Sequence, residues 1–156
     1  MLMKAEKNSK DKVYWSILNS AIELDIKKGH LKWTLSDLSR KSDITRSLIY
    51  YYFGKGKKNI LTEAIKIIGE EIIGLNEERM KLWETGQLVE SMKKARELND
   101  KAPYIPLFIL ENQNKQNDIG ETLREIQNNF IKKLKHFFPG LSDGQISGIY
   151  LSLIHI

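Results

Sequence analysis

The spacing of apolar residues restricts the fold of this chain more than any other feature. Apolar side chains recur three and four positions apart along most of the 156 residues, and no segment shows the alternation of a strand. Residues at that spacing share one face of an α-helix. Because the chain contains three prolines, few positions are barred from helices. The sequence therefore predicts an all-α protein.

Composition excludes several kinds of function. The chain has no cysteine, and its histidines, His30, His136 and His155, lack the spacing of metal ligands. No nucleophile is paired with a base, and no two carboxylates share an apolar setting. We therefore expect neither enzymatic activity nor a bound metal or cofactor.

Hydropathy gives no sign of a membrane protein. The longest apolar stretches, such as residues 105–110, are far shorter than the roughly 20 residues that span a bilayer. The segment at residues 1–12 is polar and lacks the apolar core of a signal peptide. The location expected from these features is the cytoplasm.

Positive charge is concentrated in the first part of the chain. Residues 1–61 contain 13 Lys and Arg against 6 Asp and Glu, which gives a net charge of +7. Residues 62–156 contain 12 against 14, which gives −2. A polyanionic partner is therefore expected for the first part rather than for the whole chain.

The basic part of the sequence predicts three helices, and a short turn joins the second to the third. The first helix runs over about 12–28 and is closed by a glycine, which suits a left-handed terminal position. The second is short, about 35–41, and Thr34 and Asp37 form a capping box at its start. Residues 42–44 then form the turn.

The third helix, 46–53, is capped by Thr45 and has two different faces. If Ile49 and Phe53 point inward one turn apart, the opposite face presents polar, aromatic and cationic side chains. Two short helices with such a turn and such a face describe a helix-turn-helix. The lysines of residues 54–58 follow and suit phosphate groups. The residues on the outer face are Arg46, Ser47, Tyr50 and Tyr51.

The rest of the chain predicts further amphipathic helices. They cover about 59–83 with an interruption near Gly74, about 87–99, a segment opened by Pro103 or Pro106, about 118–138, and a last helix begun by the capping box of Ser142 and Gln145. The last helix has an apolar stripe that we expect to be covered by its own domain or by a second subunit. The stripe consists of Ile146, Ile149, Tyr150 and Leu153.

Residues 17–61 combine these features in an order that resembles a known family. The segments are ILNSAIEL at 17–24, Gly29, TLSDLS at 34–39, ITRS at 44–47 and IYYYFGK at 49–55. In order and spacing they resemble the DNA-binding domain of the tetracycline-repressor (TetR/AcrR) family of transcriptional regulators. The remaining residues resemble that family in being helical.

The resemblance implies a three-helix helix-turn-helix DNA-binding domain at residues 1–61 and a helical effector-binding and dimerisation domain at 62–156. It further implies a homodimeric repressor that binds a pseudo-palindromic double-stranded DNA operator and is released by a small-molecule effector. By the same analogy the residues that contact DNA are Thr34, Ser36, Thr45, Arg46, Ser47, Tyr50, Tyr51, Tyr52, Lys55, Lys57 and Lys58.

Several positions depart from the family pattern. Leu48 stands where the family has a threonine, Asp43 replaces a turn glycine, and Asp25 occupies a position of large apolar residues. In the lysine loop we favour Lys57 over Gly56 as the position that clamps phosphate. The body also ends early for the family, as a truncated chain would, and the sequence leaves open whether the chain is truncated at Ile156.

Several alternatives remain open from the sequence. The tyrosines at 50–52, Tyr52 above all, could pack against the protein instead of contacting DNA, and any one of the lysines at 55–58 could simply be solvated. Arg46 could form a surface ion pair with Asp37 or Asp43 instead of contacting a base. The aromatic residues and the methionine of the body could line a ligand pocket or belong to the core: Trp83, Met92, Tyr104, Phe108 and Phe130. The alternative function is a helical ligand-binding or protein-interaction module that no longer binds DNA.

Overall fold

The computed structural model describes the backbone of residues 2–155 and the side chains of residues 10–153. Throughout this part of the chain the regular structure is helical and no strand occurs, which confirms the predicted fold class. The chain divides into two compact units, residues 1–64 and 65–156. The boundary expected from the sequence lies between residues 61 and 62.

The first unit contains four helices: α1 (Leu2–Lys28), α2 (Leu35–Ser42), α3 (Arg46–Phe53) and the greater part of α4 (Lys57–Ile67). The bounds of α2 and α3 agree with those predicted to within one residue. The predicted start of α1 near Lys12 is wrong, because the helix already begins at Leu2. The apolar stripe starts later than the helix, whose first turns consist largely of residues with high helix propensity such as Lys, Glu and Ala.

The core of the first unit lies between α1, α2 and α3. α1 packs against α2, and α2 packs against α3. Trp33 and Leu38 are fully buried on either side of the start of α2, as a hydrophobic staple requires. The other buried apolar residues of this core are Ile17, Leu18, Ala21, Ile22, Leu24, Ile49, Phe53, Ile60 and Leu61.

The second unit continues from the end of α4 through a π-helical turn, Ile68–Ile72, and five α-helices. These are α5 (Glu77–Glu84), α6 (Leu88–Lys101), α7 (Ile105–Asn112), α8 (Asp118–Phe137) and α9 (Asp143–His155). The interruption expected near Gly74 occurs there, since Gly74 has a φ of +92°. The sequence analysis did not predict the π-helical turn.

A buried arginine accounts for the break between the π-helical turn and α5. Arg79 is 2% exposed and donates hydrogen bonds to the carbonyl oxygens of Glu71 and Ile72 and to Ser91 Oγ. The first two acceptors lie at the end of a helix, where carbonyls lack intrahelical partners. Burial lowers the pKa of Arg79 to about 10. The guanidinium therefore replaces the missing helical donors at this end.

The proposed pocket residues of the body lie in or near the helical core. Trp83, Phe108 and Phe130 are almost completely buried, and Trp83 packs edge-on against Phe130 with ring centroids 5.4 Å apart. Met92 and Tyr104 are partly exposed. Two clefts in the described part of the chain are lined by other side chains. These positions favour the core interpretation, which the sequence left open.

The apolar stripe of α9 is covered within its own unit. Ile146, Tyr150 and Leu153 are buried and Ile149 is partly exposed, while α9 packs against α6, α7 and α8. Asn99 Nδ2 also donates a hydrogen bond to the carbonyl oxygen of Leu153 at 3.1 Å. The sequence left open whether the stripe is covered by its own domain or by a second subunit. The structure shows that its own unit covers it. No helix among the described residues combines the length and apolarity needed to cross a bilayer.

Candidate nucleic-acid interface

The two faces of α3 differ sharply in exposure. Ile49 is fully buried and Phe53 is 6% exposed, so these residues attach the helix to the core. Arg46 and Ser47 are exposed, Tyr50 is partly exposed, and the side chain of Tyr51 is 78% exposed. An aromatic side chain this exposed buries little apolar surface and so adds little to the stability of the core. The outer face expected from the helical spacing is therefore open within the first unit.

The start of α2 is held by a complete capping box. Asp37 N donates to Thr34 Oγ1 at 3.0 Å, and Thr34 N donates to Asp37 Oδ2 at 2.9 Å. The backbone hydrogen bond from Thr34 and then the side-chain bond from Lys28 hold the pKa of Asp37 far below its ordinary value. Thr34 and Ser36 are exposed at this end. Each hydroxyl oxygen accepts one hydrogen bond within the protein, from Asp37 N and from Arg46 Nη1 respectively, which leaves each O–H free to donate.

The turn between α2 and α3 is closed by local hydrogen bonds. Asp43, which stands where the family pattern has a turn glycine, adopts the left-handed conformation with a φ of +58°. Ser39 Oγ donates to the carbonyl oxygen of Ile44 at 2.6 Å, and Thr45 Oγ1 accepts from Leu48 N at 3.3 Å. Thr45 thus caps the N-terminus of α3 by accepting from a backbone N–H that has no partner within the helix.

Arg46 spans the two short helices. Its Nη1 donates to Ser36 Oγ at 3.3 Å, and the side chain is exposed. Within the described part of the chain it forms no ion pair, whereas Asp37 pairs with Lys28 and Arg40. The surface ion pair weighed from the sequence is therefore not formed. Most of the guanidinium donors face outward, where a planar acceptor could bind them.

Exposed and partly exposed cations near α2 and α3 differ in whether they have an acidic partner. Lys27 and Lys41 both pair with Glu23, while Lys28 and Arg40 pair with Asp37. Four others have no acidic partner in the described part of the chain and are exposed: Lys32, Arg46, Lys55 and Lys58. These four charges flank α2 and α3 in sequence. Uncompensated positive charge therefore lies next to the helix pair, and also on α1, where Lys10 and Lys12 are exposed and have no ion pair among the described residues.

The preference for Lys57 as the phosphate-binding lysine is not supported. Lys57 Nζ donates to the carbonyl oxygens of Leu31 at 2.6 Å and of Trp33 at 2.7 Å. The ammonium also lies 5.6 Å from the centroid of the Trp33 ring. Two of its three donors are thus used inside the protein. Sequence spacing could not show this, because the two carbonyls belong to a loop far away in the chain.

Tyr52 belongs partly to the core edge. It is partly exposed and lies edge-on to Tyr14, with ring centroids 6.4 Å apart. Tyr51 lies 5.4 Å from Tyr52 in a similar T-shaped contact. Leu48, which stands at the departure from the family pattern, is also partly exposed. Tyr50 and Tyr51 therefore remain the aromatic residues on the outer face.

Two residues near this surface were not identified as functional from the sequence. Asp25 is 5% exposed, and its Oδ1 accepts hydrogen bonds from Leu31 N at 2.8 Å and Trp33 Nε1 at 2.9 Å. It holds the loop that leads into α2, which explains a carboxylate at an otherwise apolar position. Lys32 is the other residue, and its exposed position two residues before the cap Thr34 was the available signal.

Comparison of the chain with models of protein families, with curated proteins and with solved structures found no match. The family resemblance therefore stays a prediction from residues 17–61.

Proposed function

We propose that the first unit binds double-stranded DNA by placing the outer face of α3 in the major groove. The observation that supports this most is the open face of α3, which carries a guanidinium, a serine and a highly exposed tyrosine above a buried apolar face. In this proposal α2, the turn and α3 form the helix-turn-helix. The recognition helix of that motif presents residues near its N-terminus to base edges.

Roles follow from the chemistry of each group. Arg46 contacts a base, since a guanidinium can donate two parallel hydrogen bonds to guanine O6 and N7. The hydroxyls of Thr34, Ser36 and Thr45 donate to phosphate oxygens, and Tyr50 and Tyr51 contact the backbone or a thymine methyl. Lys55 and Lys58 supply the phosphate contacts, with Lys32 as a further candidate. Lys57 is withdrawn from this set because its ammonium already bonds two carbonyls.

At the level of the whole protein we propose a cytoplasmic transcriptional regulator of the TetR type. It acts as a homodimeric repressor, and the second unit binds a small-molecule effector that releases the operator. The support for this part is the resemblance of residues 17–61, together with the helical character of the second unit.

The alternative is a helical ligand-binding or interaction module that no longer binds DNA. One specific observation favours it, namely that the ammonium of Lys57 is committed to the carbonyls of Leu31 and Trp33. Loss of one phosphate contact would weaken DNA binding at every sequence. The exposed cations Arg46, Lys55 and Lys58 favour the DNA-binding proposal over this alternative.

Selection of duplexes from a random DNA pool tests the proposal. The purified protein is expected to enrich a motif with two-fold symmetry, whose half-sites lie about one helical turn, or roughly 34 Å, apart. Binding of the enriched duplex should weaken steeply as salt is raised. A pool without enrichment, in a protein that circular dichroism shows to be folded, would favour the interaction module.

A further inference from the structure

A cleft in the first unit has a lining unlike the rest of that basic unit. It is open to solvent, has a volume of about 280 Å³, and is formed by Tyr14 of α1, Tyr52 and Phe53 of α3, and Asn59, Thr62 and Glu63 of α4. Three aromatic rings thus line the same cleft as one carboxylate. None of the roles proposed for DNA binding uses Glu63.

The aromatic part of the cleft is a compact cluster. Tyr14 stacks on Phe53 with ring centroids 5.1 Å apart, and the centroids of Tyr14 and Tyr52 are 6.4 Å apart. A cation interacts favourably with an aromatic ring when it lies within about 6 Å of the centroid. With rings this close together, a cation in the cleft would be near more than one of them.

Glu63 supplies the charge that such a cation needs. Its Oε2 accepts a hydrogen bond from the Tyr14 hydroxyl at 3.2 Å, so the carboxylate is held at the cleft. No lysine or arginine among the described side chains forms an ion pair with it, although the unit has a net positive charge. A carboxylate has capacity for several further contacts. The same charge would repel a phosphate, so the cleft does not extend the proposed DNA surface.

We propose that this cleft binds a quaternary ammonium group, with the Glu63 carboxylate neutralising the charge and the aromatic rings contacting the alkyl groups. A quaternary ammonium is weakly hydrated and has no hydrogen-bond donors, so it fits aromatic walls better than a primary amine does. The Thr62 hydroxyl donates to the carbonyl oxygen of Lys58 at 2.8 Å and is directed to the backbone. The assignment is independent of the proposed DNA binding.

Titration calorimetry with choline and the full chain tests the assignment. 3,3-Dimethylbutan-1-ol is the matched uncharged probe, because it has the same shape with carbon in place of nitrogen. Choline should bind saturably, and the alcohol should bind at least about tenfold more weakly. Absence of saturable binding up to tens of millimolar choline would overturn the assignment, as would equal affinity for the two probes.

Variants then locate the site. Glu63→Gln keeps an oxygen that can accept from Tyr14 but removes the charge, so choline affinity should fall at least about tenfold. Glu84→Gln is the matched control, since Glu84 is exposed and belongs to the second unit, and it should bind choline as the wild type does. Tyr52→Leu keeps apolar volume without the ring and should also weaken binding. Unchanged affinity in both Glu63→Gln and Tyr52→Leu would contradict the proposed site.

Failure here is distinguishable from failure of the DNA-binding proposal. Glu63 is not among the residues assigned to DNA, so Glu63→Gln should bind the selected duplex no more weakly than the wild type does. A variant that loses choline but retains DNA supports both proposals. A wild type that binds DNA and not choline contradicts the cleft assignment alone.

Discussion

The carboxylate of Asp25 accepts a hydrogen bond from the indole Nε1 of Trp33 at 2.9 Å, and this contact ties the end of α1 to the start of α2. Leu31 N donates to the same oxygen, and Lys57 Nζ donates to the carbonyls of Leu31 and Trp33. The loop of residues 29–33 is therefore held by a buried anion and by a cation. Leu31 keeps a left-handed φ of +57° within it. This loop places Thr34 and hence the first turn of α2.

Removal of the Asp25 acceptor should destabilise the protein. Asp25→Ala leaves Leu31 N and Trp33 Nε1 without their partner, and we expect the free energy of unfolding to fall by about 2–4 kcal/mol. Asp25→Asn retains one acceptor oxygen and should cost less. Urea unfolding followed by tryptophan fluorescence measures both. An Asp25→Ala protein with the denaturation midpoint of the wild type would show that the contact is not stabilising.

Lys57 and Lys58, in the first turn of α4, should separate into a structural and a phosphate-binding lysine. Lys57→Ala should lower the free energy of unfolding by about 1–3 kcal/mol, because two charge-assisted hydrogen bonds are lost. Lys58→Ala should leave stability within about 0.5 kcal/mol, since the side chain is exposed. It should instead reduce the dependence of log affinity on log salt by about one unit. The reverse pattern would restore Lys57 to the DNA surface.

Asp37 makes the start of α2 sensitive to acid. Because hydrogen bonds from Thr34 and Lys28 depress its pKa below the ordinary 3.8, the folded state holds the carboxylate charged at a pH where the unfolded chain binds a proton. This contribution is complete above about pH 4 and is lost as the pH falls through the folded pKa.

The matching experiment compares unfolding of the wild type and Asp37→Asn over a range of pH. The wild type should be more stable at neutral pH, and the difference should shrink below about pH 4. Asp43→Asn serves as the control, because the Asp43 side chain is exposed at the other end of α2 and asparagine also tolerates its backbone conformation. A wild-type advantage that persists undiminished into strong acid would refute the account of this cap.

Two glycines of the second unit should respond in opposite directions to alanine. A Cβ at Gly120 would lie 2.0 Å from the carbonyl oxygen of Lys115, so the backbone must shift, whereas a Cβ at Gly148 meets nothing within 4 Å. Gly120→Ala should lower the free energy of unfolding by about 3 kcal/mol or more. Gly148→Ala, within an exposed stretch of α9, should raise it by about 0.5–1 kcal/mol. Thermal unfolding measures the stability of the two variants. Equal changes in stability would contradict the close packing at Gly120 in α8.

The elements that the sequence predicts well are those with local signals. The caps Thr34, Asp43 and Ser142 act within a few residues of chain, and all three hydrogen-bond or backbone features are present. The alternation of buried and exposed residues on α3 is likewise a local property of a helix. The exposed face built around Tyr51 could therefore be derived from spacing.

What the sequence did not indicate depends on contacts between distant residues. The roles of Asp25, Lys57 and Arg79 are set by carbonyls or donors on other elements. The end of the π-helical turn is one example, because its terminal carbonyls accept hydrogen bonds from Arg79 of α5. Aromatic spacing also cannot distinguish a ligand pocket from a core, and Trp83 and Phe130 pack against each other.

The contact between Arg46 and a base is the most direct test of the proposed DNA surface. The measurement is the affinity of the wild type, Arg46→Ala and Arg40→Ala for the selected duplex and for its single-base variants. Arg40 is the control because it is exposed and pairs with Asp37. Arg46→Ala should lose about 1–3 kcal/mol and relax discrimination at one base position, while Arg40→Ala should bind as the wild type does. An equal loss of affinity for the selected duplex and for random DNA in Arg46→Ala would contradict the assignment.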